Sequence, residues 1–344
     1  MDVSLAQLRE KTHTRLEWQK AAQLLEVIKR TGASVRLDIL RESMSPDIFD
    51  ALLGDNMEKR LAKGYSIWSP NWQSVVNIRK NVSMLTQHTI RMGQFANLDA
   101  TAETGGEFQE FTAPSDADIS YTVGSYGNII AVDFKTKQSD HLNYFGDVSE
   151  EAGKAGRRTL DKWIFYTMVQ QNPTVDDGNS LFDTTNHAND NDPSTVGKAL
   201  TYANVHTTNE LLLAQTDGNS EPIFIEGSWI VCGTANKAAA ETIVKSEYNP
   251  DSANREPNYF KGLLKGVIVS PYLGNDWYVS ADKGDIEGLE IGFLDDKTEP
   301  QLFYLNPDVS DTHFTTLKYM WRVQSFWGGN WVDWRGIARG STNT

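Results

Sequence analysis

The chain has 344 residues, ten tryptophans, one cysteine and a formal net charge of −14 at neutral pH. That length supports a sizeable core or two domains, a lone cysteine excludes an intrachain disulfide framework, and the acidic balance argues against a binder that works by neutralising phosphates. The N-terminus carries charge where a signal peptide needs an apolar run, and no run is long enough to span a bilayer, so a soluble protein made in a cytoplasm is expected.

Residues 4–31 are predicted helical, because Trp18, Ala21, Ala22, Leu25 and Ile28 follow helical spacing and Gly32 is a stop. A second helix is predicted over 46–63, with Ser45 as N-cap, Pro46 at the first helical position and Gly64 as terminator. Ile48, Phe49, Leu52, Leu53, Met57 and Leu61 form its apolar face. Trp68 and Trp72 then flank a Ser-Pro turn. They are expected to anchor on another domain or subunit; a sugar-binding platform is the alternative.

Charge is uneven along the chain. Residues 1–91 hold 14 Lys/Arg against 10 Asp/Glu, whereas 92–134 hold seven Asp/Glu and no Lys or Arg. This suggests charge complementarity within or between chains. Within 93–125 the short alternating pieces "EFQEFT" and "ISYTV" predict a long two-stranded excursion. A lone hairpin is marginal in water, so the excursion should rest on something. Residues 126–137 read as a strand returning to the core.

A long helix is predicted over 148–171, with Asp147 and Glu150 spaced as a capping box and Pro173 closing it. Leu160, Trp163, Ile164, Phe165 and Met168 supply its apolar face; Gly153 and Gly156 weaken it but permit close backbone approach. The stretch "DDGNSLFDTTNHANDND" (176–192) follows. It fails the calcium-loop template, and His187 has no zinc-spaced partner. A structural loop is therefore expected, with Leu181 and Phe182 pinned to the core, the aspartates facing solvent and His187 making local hydrogen bonds.

Helices are then predicted at 207–216 (Thr207 and Glu210 as capping box) and 234–247, and strands at 223–232, 263–270, 276–280, 289–294 and 300–305. Cys232 falls in the apolar run "WIVCG" and is expected to be a buried inert thiol. The last long strand is predicted at 312–326, with Leu317, Tyr319, Trp321 and Val323 alternating with Lys318, Met320, Arg322 and Gln324. The fold class is α+β with mixed sheets.

The remaining histidines are scattered singly, and neither a nucleophile elbow nor a phosphate-binding loop is present. Glu107 and Glu110 form the one carboxylate pair that invites glycoside hydrolysis, and solvated surface carboxylates are the simpler account. The expectation is a non-enzyme with no catalytic residues, cofactor or metal.

The order of features, from helical arm through acidic excursion, long helix and α/β part to a late long strand, resembles the major capsid protein of tailed bacteriophages, of the Hong Kong-phage-type fold. The wording is similar to the Mu-like major head subunit family in "SPDIFDALLGDNMEKRLAKGY", "WSPNW", "GGEFQEFT" and "SYGNIIAVDF". It is similar also in Asp177, Gly178, Leu181, Phe182, His187 and Asn189 and in the closing "VDWRG". The resemblance runs from about residue 45 to 340.

It implies an N-terminal arm (1–72), a peripheral domain (73–92 and 126–199) with a spine helix, and an extended loop (93–125) reaching over a neighbour. It further implies an axial domain (200–305) and C-terminal strands (306–344) returning to the core. Hexamers and pentamers would build an icosahedral shell around double-stranded DNA, with a portal, a scaffold or protease and decoration proteins as partners, in the virion and, during assembly, the host cytoplasm. The expected contacts between subunits are Glu107, Phe108, Glu110 and Phe111 of the loop with Trp68, Trp72, Lys59, Arg60, Lys63, Arg157 and Arg158; Arg79, Lys80, Lys154 and Lys162 are further basic candidates. The loop has no lysine, so covalent linking through it is not expected. Only about 45 residues precede the resemblance, so a separate scaffold or protease is expected. The alternatives are a carbohydrate-active enzyme or binding module, and a cellular shell with protein cargo.

Overall fold

A computed structural model gives the fold and describes residues 46–67, 71–93, 115–133, 144–191, 198–305 and 315–341. In chain order the elements are α1 (Pro46–Ser66), β1 (Val76–Val82), β2 (Gln87–Met92), β3 (Ser115–Tyr121), β4 (Gly124–Asp133) and α2 (Tyr144–Lys162), which runs on into a π-helical stretch, Trp163–Gln170. Then come α3 (Tyr202–Leu213), β5 (Trp229–Cys232), α4 (Lys237–Lys245), β6 (Gly266–Val269), β7 (Trp277–Ser280), β8 (Leu289–Leu294), β9 (Gln301–Leu305), β10 (Lys318–Trp331) and β11 (Ile337–Ser341). This is the α+β class that the sequence predicts. The predicted helix 4–31, the Ser45 cap, Trp68 and the "EFQEFT" strand lie outside the described residues.

The chain divides into two units. The first comprises Met1–Ser69, Tyr126–Arg157 and Thr298–Ser325. In it β9 pairs antiparallel with β10, Met320 opposite Leu305 and Arg322 opposite Phe303, and β4 is the other neighbour of β10. Alternation sends Val132, Trp321, Ile130, Leu302 and Tyr304 to one face, where Met57 of α1 packs on them. The rings of Tyr304 and Trp321 lie 5.4 Å apart.

Here α1 corrects one expectation: Gly64 does not end the helix. A Cβ on Gly64 would sit 2.1 Å from the Glu150 carbonyl oxygen, and one on Gly153 2.1 Å from that of Leu61. The two glycines let α1 and α2 touch backbone to backbone, and that packing outweighs the ~1 kcal/mol that a glycine costs a helix. The helix α2 also begins earlier than predicted, at Tyr144, so Asp147 and Glu150 lie within it and are not a capping box.

The second unit comprises Pro70–Ser125, Arg158–Lys297 and Phe326–Thr344. In it β1 runs parallel to β8, and β8 pairs antiparallel with the end of β10, Trp327 opposite Phe293. A second sheet has the order β11-β7-β5-β6. Leu212, Ile230, Cys232, Phe260, Trp277 and Val279 are buried in its core. A two-stranded ribbon joins β2 to β3, with Gln87 opposite Tyr121.

Three boundaries in the second unit differ from expectation for local reasons. Thr201, not Thr207, caps α3: its side chain accepts from the Asn204 N–H, while the Thr207 hydroxyl donates to the Ala203 carbonyl from inside the helix. The strand predicted from 223 shrinks to 229–232, since Thr216 bridges Pro222 in a tight hairpin and Phe224 takes a φ of 56°. The last strand extends to 331 because its second half pairs with β8; in the first unit, Leu317 just before it takes a φ of 50° and is exposed.

Candidate assembly site

The stretch 172–191 is a polar latch in the second unit, and each residue singled out in it has a definable job. Leu181 and Phe182 are buried at 0% and 3% exposure, as expected. Asn172 brackets Phe182, its amide donating to the Phe182 carbonyl at 3.0 Å while its side-chain oxygen accepts the Phe182 N–H at 2.7 Å. Gly178 turns the chain at a φ of 82°, in the region that favours glycine. His187 is buried and makes local hydrogen bonds, as expected. Its Nδ1 lies 3.0 Å from the Leu181 carbonyl, its Nε2 2.8 Å from Asp177, and its ring stacks on Trp334 at 4.0 Å. The buried Asn189 amide donates to the carbonyls of Leu181 and Ile337.

The aspartates expected to face solvent also take partners within the chain; Asp192 lies outside the described residues. Asp176 pairs with Arg91 at 3.1 Å. Asp183 accepts the backbone N–H groups of Thr185 and Asn186. Asp190 forms a two-pronged pair with Arg339, whose guanidinium lies over the Phe182 ring. Around this pair the backbone of 189–191 bonds to Arg339 at 2.8 and 2.9 Å, adding a row beside β11. At Asp177, burial raises the carboxyl pKa, but hydrogen bonds from the Asn179 side chain and backbone and from His187 outweigh it and hold the group at about 2.

The base of the acidic excursion is anchored by arginines. Arg79 donates to the His88 carbonyl at 2.9 Å and to Glu290 at 3.3 Å, and the Thr89 hydroxyl donates to Glu290 at 3.1 Å. Arg91 also reaches the Val332 carbonyl at 3.2 Å. Burial first, and then the Glu290 charge, push the Tyr121 phenol pKa up. The described ribbon, β2 with β3, is thus held to its own unit; residues 94–114 of the predicted excursion lie outside the described residues.

In the first unit, Arg60 pairs with Asp147 at 3.3 Å and Lys63 with Glu150 at 3.0 Å, clasping α1 to α2 across the glycine contact. Lys154 pairs with Glu151 at 2.6 Å, and Arg157, 3% exposed, lies over the Tyr65 ring at 5.6 Å.

These partners change the list of expected subunit contacts. Trp72 is 1% exposed and packs on Phe293 within the chain, and Arg157 is buried, so neither presents a surface to a neighbour. Arg79 is turned inward to Glu290, while Arg60 and Lys63 are engaged with α2. Lys59, Lys80, Arg158 and Lys162 are exposed. Glu107, Phe108, Glu110, Phe111 and Trp68 lie outside the described residues. Sequence reasoning missed the exposed apolar residues Ile129, Phe303 and Leu305; the alternation in "QLFYL" was the available signal.

Among the described residues no three His, Cys, Asp or Glu side chains group to hold a metal, and no helix is long and apolar enough to cross a membrane. Cys232 is buried, and burial pushes its thiol up to about 12. A cleft of about 350 Å³ in the second unit is lined by Ile90, Arg91, Asp217, Ile286, Asp333 and Arg335 among others. Two of its acids serve structure: Asp217 accepts the N–H groups of Asn219 and Glu221, and Asp333 pairs with Arg335; Asp285 and Glu287 also line it.

Comparison with known proteins gives one family. A family model described as phage capsid protein matches residues 116–340. No curated protein matches the chain. Among solved structures, the chain is similar to a virus-like particle from Pyrococcus furiosus, at 11% identity and a TM-score of 0.50, covering 83% of this chain and 97% of that one. It is similar to a structure from Microbacterium phage Oxtober96, at 10% identity and a TM-score of 0.51, covering 80% and 93%. A structure from Mycobacterium phage Adephagia matches at 11% identity and a TM-score of 0.50, covering 76% and 87%. At these identities the likeness speaks to the fold.

Proposed function

We propose, from the premise that this chain belongs to the phage capsid protein family, that it is a major head subunit of the Mu-like kind whose copies close as hexamers and pentamers around double-stranded DNA. A member of this family is a structural protein of the virion capsid, not an enzyme, so the carbohydrate-active alternative falls away.

The observation that carries the finer reading is the acidic excursion. The segment 92–134 holds seven acids and no Lys or Arg, and its base is locked to the second unit through Arg79, Glu290 and Arg91. Such a segment, held firmly at its root, gains stability by lying on another copy. Many modest contacts repeated around a closed shell then add up. A net charge of −14 suits a container that must not bind its genome tightly.

In this proposal residues 1–72 form the arm, 73–92 and 126–199 the peripheral domain, 93–125 the extended loop and 200–305 the axial domain, with 306–344 returning to the core. The loop, Glu107 and Glu110 included, meets basic surface on a neighbour. Assembly takes place in the host cytoplasm, with a portal, a scaffold or protease and decoration proteins as further partners.

Electron microscopy of the purified protein tests the reading. Closed shells with five- and sixfold capsomers are expected, and denaturing gels of them should run as monomer. Discrete small oligomers would overturn it, and tailless shells filled with protein would favour the cargo compartment.

A further inference from the structure

The buried histidine of the latch faces two acceptors at once. The His187 side chain is 0% exposed. Its Nδ1 lies 3.0 Å from the Leu181 carbonyl oxygen, which also accepts the Asn189 amide at 2.9 Å and has no proton to give. Its Nε2 lies 2.8 Å from Oδ2 of Asp177. That carboxylate accepts the Asn179 side-chain amide at Oδ2 and the Asn179 backbone N–H at Oδ1, and it is held ionised at about 2. Neither partner can donate, so each ring nitrogen must. A neutral imidazole has one N–H and would turn a bare lone pair on a buried oxygen, which leaves both groups desolvated and unpaired.

The surroundings suit a cation. The ring stacks on Trp334 at 4.0 Å with the planes 16° apart. Asp183, held below the usual carboxylate range by the backbone N–H groups of Asn186 and Thr185, puts a second negative charge near it. Gln215, which donates to the His187 carbonyl at 3.0 Å, is neutral. The nearby cation is Arg335, over the Trp334 ring at 5.0 Å, and its charge is matched by Asp333 at 3.1 Å.

We infer that His187 is an imidazolium, bonded through both ring nitrogens to Leu181 and Asp177, and that its second proton works as the catch of the latch. The pairs at the two ends of this stretch, Arg91 with Asp176 and Arg339 with Asp190, use guanidiniums, which keep their charge. His187 is the member that can lose its charge. When the second proton leaves, the ring keeps one acceptor and turns a lone pair to the other. The contribution of the pair is present while the ring is charged and is lost as the pH rises, the opposite direction to the acid loss at Asp177. The catch thus opens in alkali, freeing the turn 177–189 from Trp334 while the two arginine pairs hold its ends.

Magnetic resonance of the full chain, with nitrogen-15 in its six histidines, tests this whether the chain is free or assembled. At pH 8 an ordinary imidazole, with a pKa of ~6.5, is almost wholly neutral. One histidine should keep protons on both ring nitrogens at that pH and show a through-space contact with the Trp334 ring. Its signal should be missing from His187→Gln; if that variant does not fold, the Trp334 contact assigns the signal in the unaltered chain. A His187 ring with one bare nitrogen at pH 8 overturns the inference. As the pH is raised further, the second proton and the Trp334 contact should be lost together. Loss of the proton with the contact unchanged overturns the catch, and so does a ring that keeps both protons until the whole chain unfolds.

Discussion

The latch at 172–191 and the outer face of the β4–β9–β10 sheet use their side chains in opposite ways. In the latch, Asp176, Asp177, Asp183 and Asp190 all find partners inside the chain, and Leu181 and Phe182 are buried. On the sheet face, Ile129, Phe303 and Leu305 stay exposed, and the Arg322 guanidinium lies over the Phe303 ring. The contrast separates two tasks of a shell subunit. Groups satisfied internally hold the fold, and groups left unsatisfied are available to other copies.

The sharpest way to break this contrast is to remove a latch partner. Asp190→Ala leaves the Arg339 guanidinium without its two-pronged carboxylate in a site where the pair's side chains are 3% and 14% exposed. Breaking a buried pair this way costs about 3–5 kcal/mol. A large drop in melting temperature is expected, whatever the assembly state; an unchanged melting temperature would remove the latch from the account.

A smaller effect is expected from pH. The Asp177 carboxyl sits at about 2 in the fold, below the unfolded value of ~3.9. Its contribution is therefore fully present above about pH 4 and is lost as the pH falls toward 2. Melting temperature measured across that window should fall less steeply for Asp177→Asn than for the unaltered chain. Equal slopes would show that the hydrogen bonds to Asn179 and His187 do not matter.

Legibility in sequence followed the same division. Helix and strand periodicity placed most elements, including β8 at its full extent, because a buried face leaves a pattern. The latch was legible as a loop pinned by Leu181 and Phe182, yet not as a set of ion pairs. Arg339 lies 149 residues from Asp190, and nothing local announces such a partner. Gly64 was misread as a stop because its role is contact with Glu150, which is equally remote. The basic residues proposed for subunit contacts looked free on a single strand of text; Arg60, Lys63 and Arg79 are engaged only once the fold brings Asp147, Glu150 and Glu290 to them.

The measurement that bears most directly on the division between fold and shell is made on Ile129→Ser, Phe303→Ser. Both positions are exposed strand sites, where substitutions stay within about 1 kcal/mol. Sedimentation velocity, read beside thermal melting, should show a subunit that melts close to the unaltered chain and no longer sediments as a closed particle. Particles of unchanged size, or a collapse of the melting temperature, would contradict the claim that this face belongs to the shell and not to the fold.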